Sequence, residues 1–386
     1  MKIVDVCAFL SPHGGGVKTY IEQKLAIGPQ LGHEIVIIAP GDHDEVIERG
    51  PGARLVMIAS PRFPLDRKYW YFDDEPRLHA AISEQAPDML EASSPWRSAS
   101  MVGRWPGPAP RALIMHADPL SAYAYRWFGP LLSRDTIDRR FERFWEHLRD
   151  LGQAFDLVVC ASRELRDRLA AGGVANTALH PMGIEAGTFG AERRSASVRR
   201  DLLELCELPE TAHLLISIGR LAPEKRLPMV IDAVEAASHE LPLGLVILGD
   251  GSQKRRIRSQ IAGNPHIRLL SPERNRARFA TLLASADALI HGCEAETFCM
   301  AAAEARASGI PVIVPDRGGA ADHAGGGAGV CYEAGNPQGA AKAILDLFSG
   351  QVPLSAEAVP IVTTADHFAR LFSDYERIVA KAREQA

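Results

Sequence analysis

Short apolar runs alternate with longer amphipathic stretches along almost the whole chain, and this alternation limits the folds open to it. In the first half the apolar runs fall at residues 2–9, 34–39, 55–58, 88–91, 112–116 and 156–161; in the second half they fall at 214–218, 243–248, 267–270, 288–290, 311–314 and 330–332. Helix-period segments fill the gaps, at 17–31 and 76–85, then at 227–239, 252–261, 275–285, 300–308 and 337–348. A strand covered on both faces reads as a continuous apolar run, and strand–helix repetition builds parallel sheets flanked by helices. About a dozen strands are too many for one open sheet of this type. Two doubly wound, Rossmann-like α/β domains are therefore expected, with the junction in the polar, glycine-containing stretch 183–198. The expected division is 1–190, 191–364 and a terminal helical segment, 365–386, that packs back on the first domain. Two such domains facing across a cleft would present the carboxyl ends of their strands, where open α/β sheets bind ligands.

Composition sets the outer limits. Of the 386 residues, 46% are hydrophobic and 24% charged, which excludes a disordered chain, a collagen-like chain and a disulfide scaffold. No apolar run reaches the ~18–20 residues of a membrane span. A formal charge of −5 and a pI near 6.2 speak against nucleic acid as a partner. The six cysteines, Cys7, Cys160, Cys206, Cys293, Cys299 and Cys331, form no C-x-x-C pair and no zinc-like spacing with histidine. That pattern suits a reducing cytosol. Asp5 interrupts the opening apolar run, which reads as a first strand rather than a signal peptide, so a cytoplasmic protein is expected.

Three loops placed just after strands carry groups that can do chemistry. His13-Gly14-Gly15-Gly16 follows the first strand and precedes a helix. Glycines let the backbone approach a ligand closely, and a helix N-terminus attracts an anion, although the same residues also suit a plain tight turn. The loop is not a Walker A, because Val17 separates Gly16 from Lys18, nor a dinucleotide fingerprint, because Thr19 stands where the third glycine would. Gly219-Arg220-Leu221-Ala222-Pro223-Glu224-Lys225 follows the run at 214–218. Its guanidinium and ammonium together suit a diphosphate, or else make a solvated loop paired through Glu224. The third run is Glu296-Thr297-Phe298-Cys299-Met300-Ala301-Ala302-Ala303-Glu304-Ala305, which enters the helix at 300–308. Glu296 can accept hydrogen bonds from sugar hydroxyls. The amides of Thr297 to Met300 suit phosphate oxygens, and Glu304 stands where it can reach a ribose. Helix capping by Glu296 and plain solvation of Glu304 are the alternatives.

Taken together these residues resemble the family-4 retaining glycosyltransferases of GT-B fold. The Gly14–Gly16 loop, the G-R-L-x-P-E-K run at 219–225, the turn Gly249-Asp250-Gly251, the E-x7-E pair Glu296/Glu304, Gly309-Ile310-Pro311-Val312 and Gly318-Gly319 fall in the family's order. Pro181-Met182-Gly183-Ile184-Glu185 is similar to the segment that closes the family's first domain. The resemblance implies that Arg220 and Lys225 hold and neutralise the donor diphosphate, and that Glu304 binds the ribose. It implies that Glu296 binds the donor hexose, helped by amides of Thr297, Phe298, Cys299 and Met300. Gly15 and Gly16 would approach the phosphate and the acceptor, and His116 matches a family histidine that contacts the donor sugar. Cys299 replaces the family's usual glycine and Met182 its usual asparagine.

The implied reaction moves a hexose from a nucleoside-diphosphate sugar, UDP favoured over GDP, to an acceptor hydroxyl with retention. No obligatory metal and no further cofactor are implied. The layout around His116-Ala117-Asp118-Pro119 looks most like the branch that glycosylates lipids, including diacylglycerol glucosyl- and mannosyltransferases. A lipid acceptor and peripheral contact with the cytosolic face of a membrane are therefore expected. Residues 62–72 and 123–151 mix arginines with aromatic side chains, as membrane interfaces do. Acidic residues keep the net charge of 123–151 small, and an aromatic stripe packed in the core is the alternative. A polysaccharide or natural-product acceptor, a GT-B nucleotide-sugar epimerase and a non-enzymatic sugar- or nucleotide-binding protein are the competing readings. The sequence carries no sign of oligomeric state.

Overall fold

All twelve apolar runs are strands in the computed structural model, which describes residues 1–8, 10, 16–64, 69–129, 131–355 and 361–385. Two further strands join them, and the chain divides into two units. The first comprises Met1–Pro119, Trp127–Gly183 and Thr364–Ala386; the second comprises Leu120–Arg126 and Ile184–Thr363.

The first unit is built on an eight-stranded sheet: β1 (Lys2–Cys7), β2 (Glu34–Gly41), β3 (Glu45–Gly50), β4 (Ala53–Ala59), β5 (Met89–Ser93), β6 (Arg111–Ile114), β7 (Leu157–Cys160) and β8 (Thr177–Leu179). Their order is β3-β4-β2-β1-β5-β6-β7-β8. Every neighbouring pair is parallel except β3 with β4. The apolar runs of β1 and β2 are buried along almost their whole length, as helices on both faces require. The expected helix at 17–31 stops early, at Gly16–Ile27. A Cβ on Gly28 would stand 2.2 Å from Ile35 Cγ1, so the chain can pass close beneath β2 only as glycine, and Pro29 then opens a short turn. The terminal helix Thr364–Gln385 belongs to this unit. It buries Phe368, Leu371, Phe372, Tyr375 and Val379, one stripe at helical spacing, against Ile3, Tyr20 and Ile21.

The second unit holds a six-stranded sheet: β9 (His213–Ile218), β10 (Leu243–Leu248), β11 (Ile267–Leu270), β12 (Ala288–Ile290), β13 (Val312–Pro315) and β14 (Gly329–Tyr332). The order β11-β10-β9-β12-β13-β14 is parallel throughout. Strand order reverses between β9 and β12, and a crevice opens at such a switch point because successive loops diverge to either side. Helices Leu227–Ser238 and Pro337–Phe348 pack together over one face, with Val230, Ile231, Val234 and Ile344 in the core. Two doubly wound α/β units with the terminal helix in the first constitute the GT-B fold class expected from the sequence.

Candidate active site

The loops that leave β9 and β12 are shaped by close backbone contacts. After β9, Gly219 has φ +151°. Leu221 is wholly buried and exchanges backbone hydrogen bonds with the next loop: its N–H donates to Asp250 O at 2.9 Å, and its carbonyl accepts from Gln253 N at 2.8 Å. A Cβ on Gly249 would lie 2.2 Å from Gly219 O, and one on Gly251 would lie 2.6 Å from Leu221 O. The Gly249-Asp250-Gly251 turn is thus a backbone clamp on the Arg220 loop. Pro223–Lys225 forms a single tight turn, and Arg226, at φ +48°, leads into helix Leu227–Ser238.

Two ion pairs tie this loop to residues 291–299. Arg226 Nε donates to both oxygens of Glu294, at 2.9 and 2.7 Å, and Lys225 Nζ donates to Glu296 Oε1. His291 Nε2 lies 3.1 Å from the same Glu296 oxygen, and the carbonyl of His291 accepts from the Tyr332 hydroxyl at 2.6 Å. From the other side, Gly319 N donates to Glu296 O at 2.6 Å, and a Cβ on Gly319 would stand 2.6 Å from Phe298 N. Burial by itself would raise the Glu296 carboxyl, but the Lys225 charge and His291 override it and hold it far below the ordinary carboxylate range. Burial likewise opposes the Lys225 charge, and Glu296 holds its ammonium above the ordinary lysine value. Both side chains are therefore ionised at neutral pH. Arg220 stands apart: its side chain is 72% exposed and pairs with Glu224 at 3.0 Å, four residues on.

Helix Met300–Ala307 begins directly after Cys299, whose φ is +74°. That left-handed backbone suits glycine and is costly for a residue with a Cβ. Cys299 is nevertheless buried there, and burial pushes its thiol well above the ordinary range. Phe298 is also buried. Its ring meets His323 edge-on at 4.8 Å, and its carbonyl lies 2.8 Å from His323 Nε2. Burial lowers His323 to about 4, so the neutral ring donates this bond. Met300 supplies the first helical amide and Thr297 the approach to it. Glu304 is buried, not solvated. Arg276 donates to it at 3.0 Å, while burial outweighs that charge and raises its carboxyl.

In the first unit, Gly15 lies outside the described residues, with His13 and Gly14. Gly16 opens helix Gly16–Ile27, and a Cβ there would meet nothing within 4 Å. His116 follows β6 and packs edge-on against Tyr20, centroids 4.6 Å apart. Burial lowers it to about 4 despite Asp5, so the imidazole is neutral at pH 7. Tyr20 is 3.2 Å from His367 Nε2, and His367 Nδ1 is 2.9 Å from Pro181 O.

The structure thus joins Lys225 to Glu296, sets Thr297 to Met300 at a helix start and buries Glu304 within that helix. Arg220 stays at the surface of the same unit, and His116 and Gly16 belong to the other unit. Sequence reasoning missed Arg226, Glu294, His291 and Arg276. Arg226 and Glu294 flank the motif residues and could have been flagged as charges beside them; nothing in the sequence pairs Arg276 with Glu304.

Comparison with known proteins covers both units. Residues 15–185 match the family described as "Glycosyl transferase 4-like domain", and residues 204–360 match "Glycosyl transferases group 1". The chain is 30% identical over 318 residues to the GDP-mannose-dependent alpha-(1-6)-phosphatidylinositol dimannoside mannosyltransferase of Mycobacterium tuberculosis (strain ATCC 25177 / H37Ra), covering 81% of this chain and 79% of that one. It is 26% identical over 321 residues to the sulfoquinovosyl transferase SQD2 of Arabidopsis thaliana, covering 80% of this chain and 58% of the relative. Among solved structures, a glycosyltransferase from Rickettsia africae ESF-5 superposes with a TM-score of 0.72 at 16% identity, covering 98% of each chain.

Proposed function

Because the chain belongs to the group 1 glycosyl transferases, with a 4-like domain preceding the group 1 domain, we propose that it moves a hexose from a nucleoside-diphosphate sugar to a lipid hydroxyl with retention. The Lys225–Glu296 pair at the β9/β12 switch point carries this reading. It is a fixed, ionised acceptor–donor pair beside a helix N-terminus, and a sugar diphosphate needs both kinds of group at once. In the reaction the sugar–phosphate bond breaks and the diphosphate leaves. The acceptor oxygen bonds the sugar carbon on the same face, and the acceptor proton passes to the departing phosphate.

Lys225, joined by Arg220 once it leaves Glu224, and the amides from Thr297 to Met300 stabilise the charge that develops on the leaving diphosphate. Glu296 accepts hydrogen bonds from the hexose hydroxyls and Glu304 from the ribose. His116, neutral at pH 7, acts as a hydrogen-bonding group toward the sugar rather than as a cation. Gly16, at the start of helix Gly16–Ile27, serves the phosphate and the acceptor, as Gly15 does on the family resemblance. The charge on the diphosphate is met by these side chains and dipoles, and we propose that turnover needs no metal.

For the donor, the name of the Mycobacterium tuberculosis relative supports GDP-mannose over the UDP-sugar expected from the sequence alone. For the acceptor, the phosphatidylinositol dimannoside in the name of the Mycobacterium tuberculosis relative supports a lipid. No helix among the described residues is long and apolar enough to cross a membrane. A peripheral contact is proposed for the first unit. There Trp145 is buried, as the core reading of the 123–151 stretch required, whereas Trp127 and Leu131 are 60% and 86% exposed and Arg139, Arg140 and Arg143 are exposed nearby in sequence. Thermal melting with GDP, UDP and ADP at millimolar concentration tests the donor, since a ligand at about 100 times its dissociation constant adds about 2.7 kcal/mol. A shift with GDP alone supports GDP-mannose. No shift with any of the three overturns the diphosphate roles. Transfer from the selected sugar nucleotide to phosphatidylinositol or diacylglycerol vesicles then tests the acceptor, and turnover without any acceptor would point to an epimerase instead.

A further inference from the structure

Cys299 stands in a backbone conformation that disfavours it, and its thiol takes no part in the roles proposed above. The thiol has two neighbours of ligand type. An imidazole nitrogen of His291, a carboxylate oxygen of Glu296 and Cys299 Sγ all lie within 4.8 Å of one another. His291 is buried, and its Nε2 stands 3.1 Å from Glu296 Oε1 without the alignment of a hydrogen bond. Two ligands on one tetrahedral zinc ion, each about 2.0–2.1 Å from the metal, are about 3.3 Å apart. The imidazole nitrogen and the carboxylate oxygen already stand near that separation, and the sulfur lies within 4.8 Å of both.

We propose that His291, Glu296 and Cys299 form a binding site for Zn2+, with three protein ligands and one open position. Mixed nitrogen, oxygen and sulfur donors select zinc over magnesium or calcium, which take oxygen ligands. As the Zn–S bond forms, the Cys299 thiol releases its proton to solvent. Glu296 exchanges the Lys225 ammonium for the metal, and Lys225 is released. No oxidation or reduction is involved. The inference does not depend on the glycosyltransferase reading. On that reading, zinc and the donor hexose compete for Glu296, so zinc at this site would inhibit.

Cobalt substitution of the full chain tests the site directly. One equivalent of Co2+ should give a thiolate-to-cobalt charge-transfer band, and one equivalent of Zn2+ should abolish it. The band should be lost in Cys299→Ser and persist in Cys331→Ser, which removes a surface thiol, and in Cys293→Ser. His291→Gln should lose the band as well, and it decides the matter if Cys299→Ser fails to fold by far-ultraviolet circular dichroism. Absence of the band in the unaltered protein, or its persistence in Cys299→Ser or His291→Gln, would overturn the proposal. Nucleotide-induced melting shifts on the same samples report the donor site separately, so failure of the one leaves the other standing.

Discussion

Replacing Lys225 with methionine removes the ammonium that holds Glu296 ionised in a mostly buried position. Removing one partner of a buried pair costs about 3–5 kcal/mol, because a charge is left without compensation. The Lys225 and Glu296 side chains are 19% and 20% exposed, and His291 Nε2 remains 3.1 Å from the Glu296 carboxylate. Both features reduce the loss, to about 2–4 kcal/mol. For a unit of this size each kcal/mol moves the melting point about 2–4 °C, so Lys225→Met should melt roughly 5–15 °C lower. The pH dependence follows from the directions of the two shifts. Glu296 is depressed, so its contribution is full above the ordinary carboxylate value of about 4.3 and is lost as pH falls through the lower folded value. Lys225 is raised, so its contribution is full below about 10.4 and is lost only as pH rises through the higher folded value. The gap between unaltered protein and variant should therefore be flat from pH 6 to 8 and narrow in acid.

The assay must see the second unit. All five tryptophans (Trp70, Trp96, Trp105, Trp127 and Trp145) lie in the first unit, so their fluorescence serves as a control and far-ultraviolet circular dichroism reports the loss. Adding Glu296→Gln to the variant removes the stranded charge and should recover part of the stability. A melting point lowered by less than about 2 °C at pH 7, or no recovery in the double variant, would refute the buried-pair argument and place Lys225 among ordinary surface ion pairs. On the proposed function, Lys225→Met also loses turnover at saturating donor.

Two further perturbations probe the other supports. Gly319→Ala places a Cβ 2.6 Å from the Phe298 backbone, which cannot yield as a flexible side chain would. It should cost about 1–3 kcal/mol and raise the donor KM through displacement of Glu296; an unchanged KM would remove Gly319 from the site's framework. Trp127→Ser combined with Leu131→Ser changes only exposed side chains, so the melting point should stay within about 2 °C. Sedimentation with anionic vesicles should weaken at least fivefold if these residues meet a membrane, and equal binding would discard this surface as the contact.

The fold was legible because strands buried on both faces must be apolar throughout. The two strands that sequence reading missed break that rule for identifiable reasons. β3 is an edge strand carrying Glu45, Glu48 and Arg49, charges that keep an open edge from pairing with another chain. β8 has three residues, too few for any period to show. In the site, motif order exposed Lys225 and Glu296, but their contact joins positions 71 residues apart, and that of Arg226 with Glu294 spans 68. Such pairings are made by the order of strands in the sheet, which no local pattern encodes. Glu304 shows the same limit from the other side. One acidic residue in a run of alanines reads as a ribose ligand or as a solvated residue, and neither reading shows Arg276, 28 residues upstream, against it.

The pairings also change how the site must meet an anion. Arg220, Lys225 and Arg226 supply three positive charges to these loops, and Glu224, Glu296 and Glu294 compensate each of them in turn. The loop pair is neutral as it stands, so a diphosphate is not drawn in by surplus charge. Lys225 can still serve, because an ammonium has three hydrogens and can hold Glu296 and a phosphate oxygen together. Arg220 can serve only by leaving Glu224, a cheap step for an exposed pair. The buried amides at the start of helix Met300–Ala307 carry the remainder, since they need no counter-charge to be displaced. On the proposed function, donor affinity then rests on Lys225 and the helix start, while Arg220 acts mainly as charge builds on the leaving diphosphate, where its recruitment lowers the barrier rather than the dissociation constant.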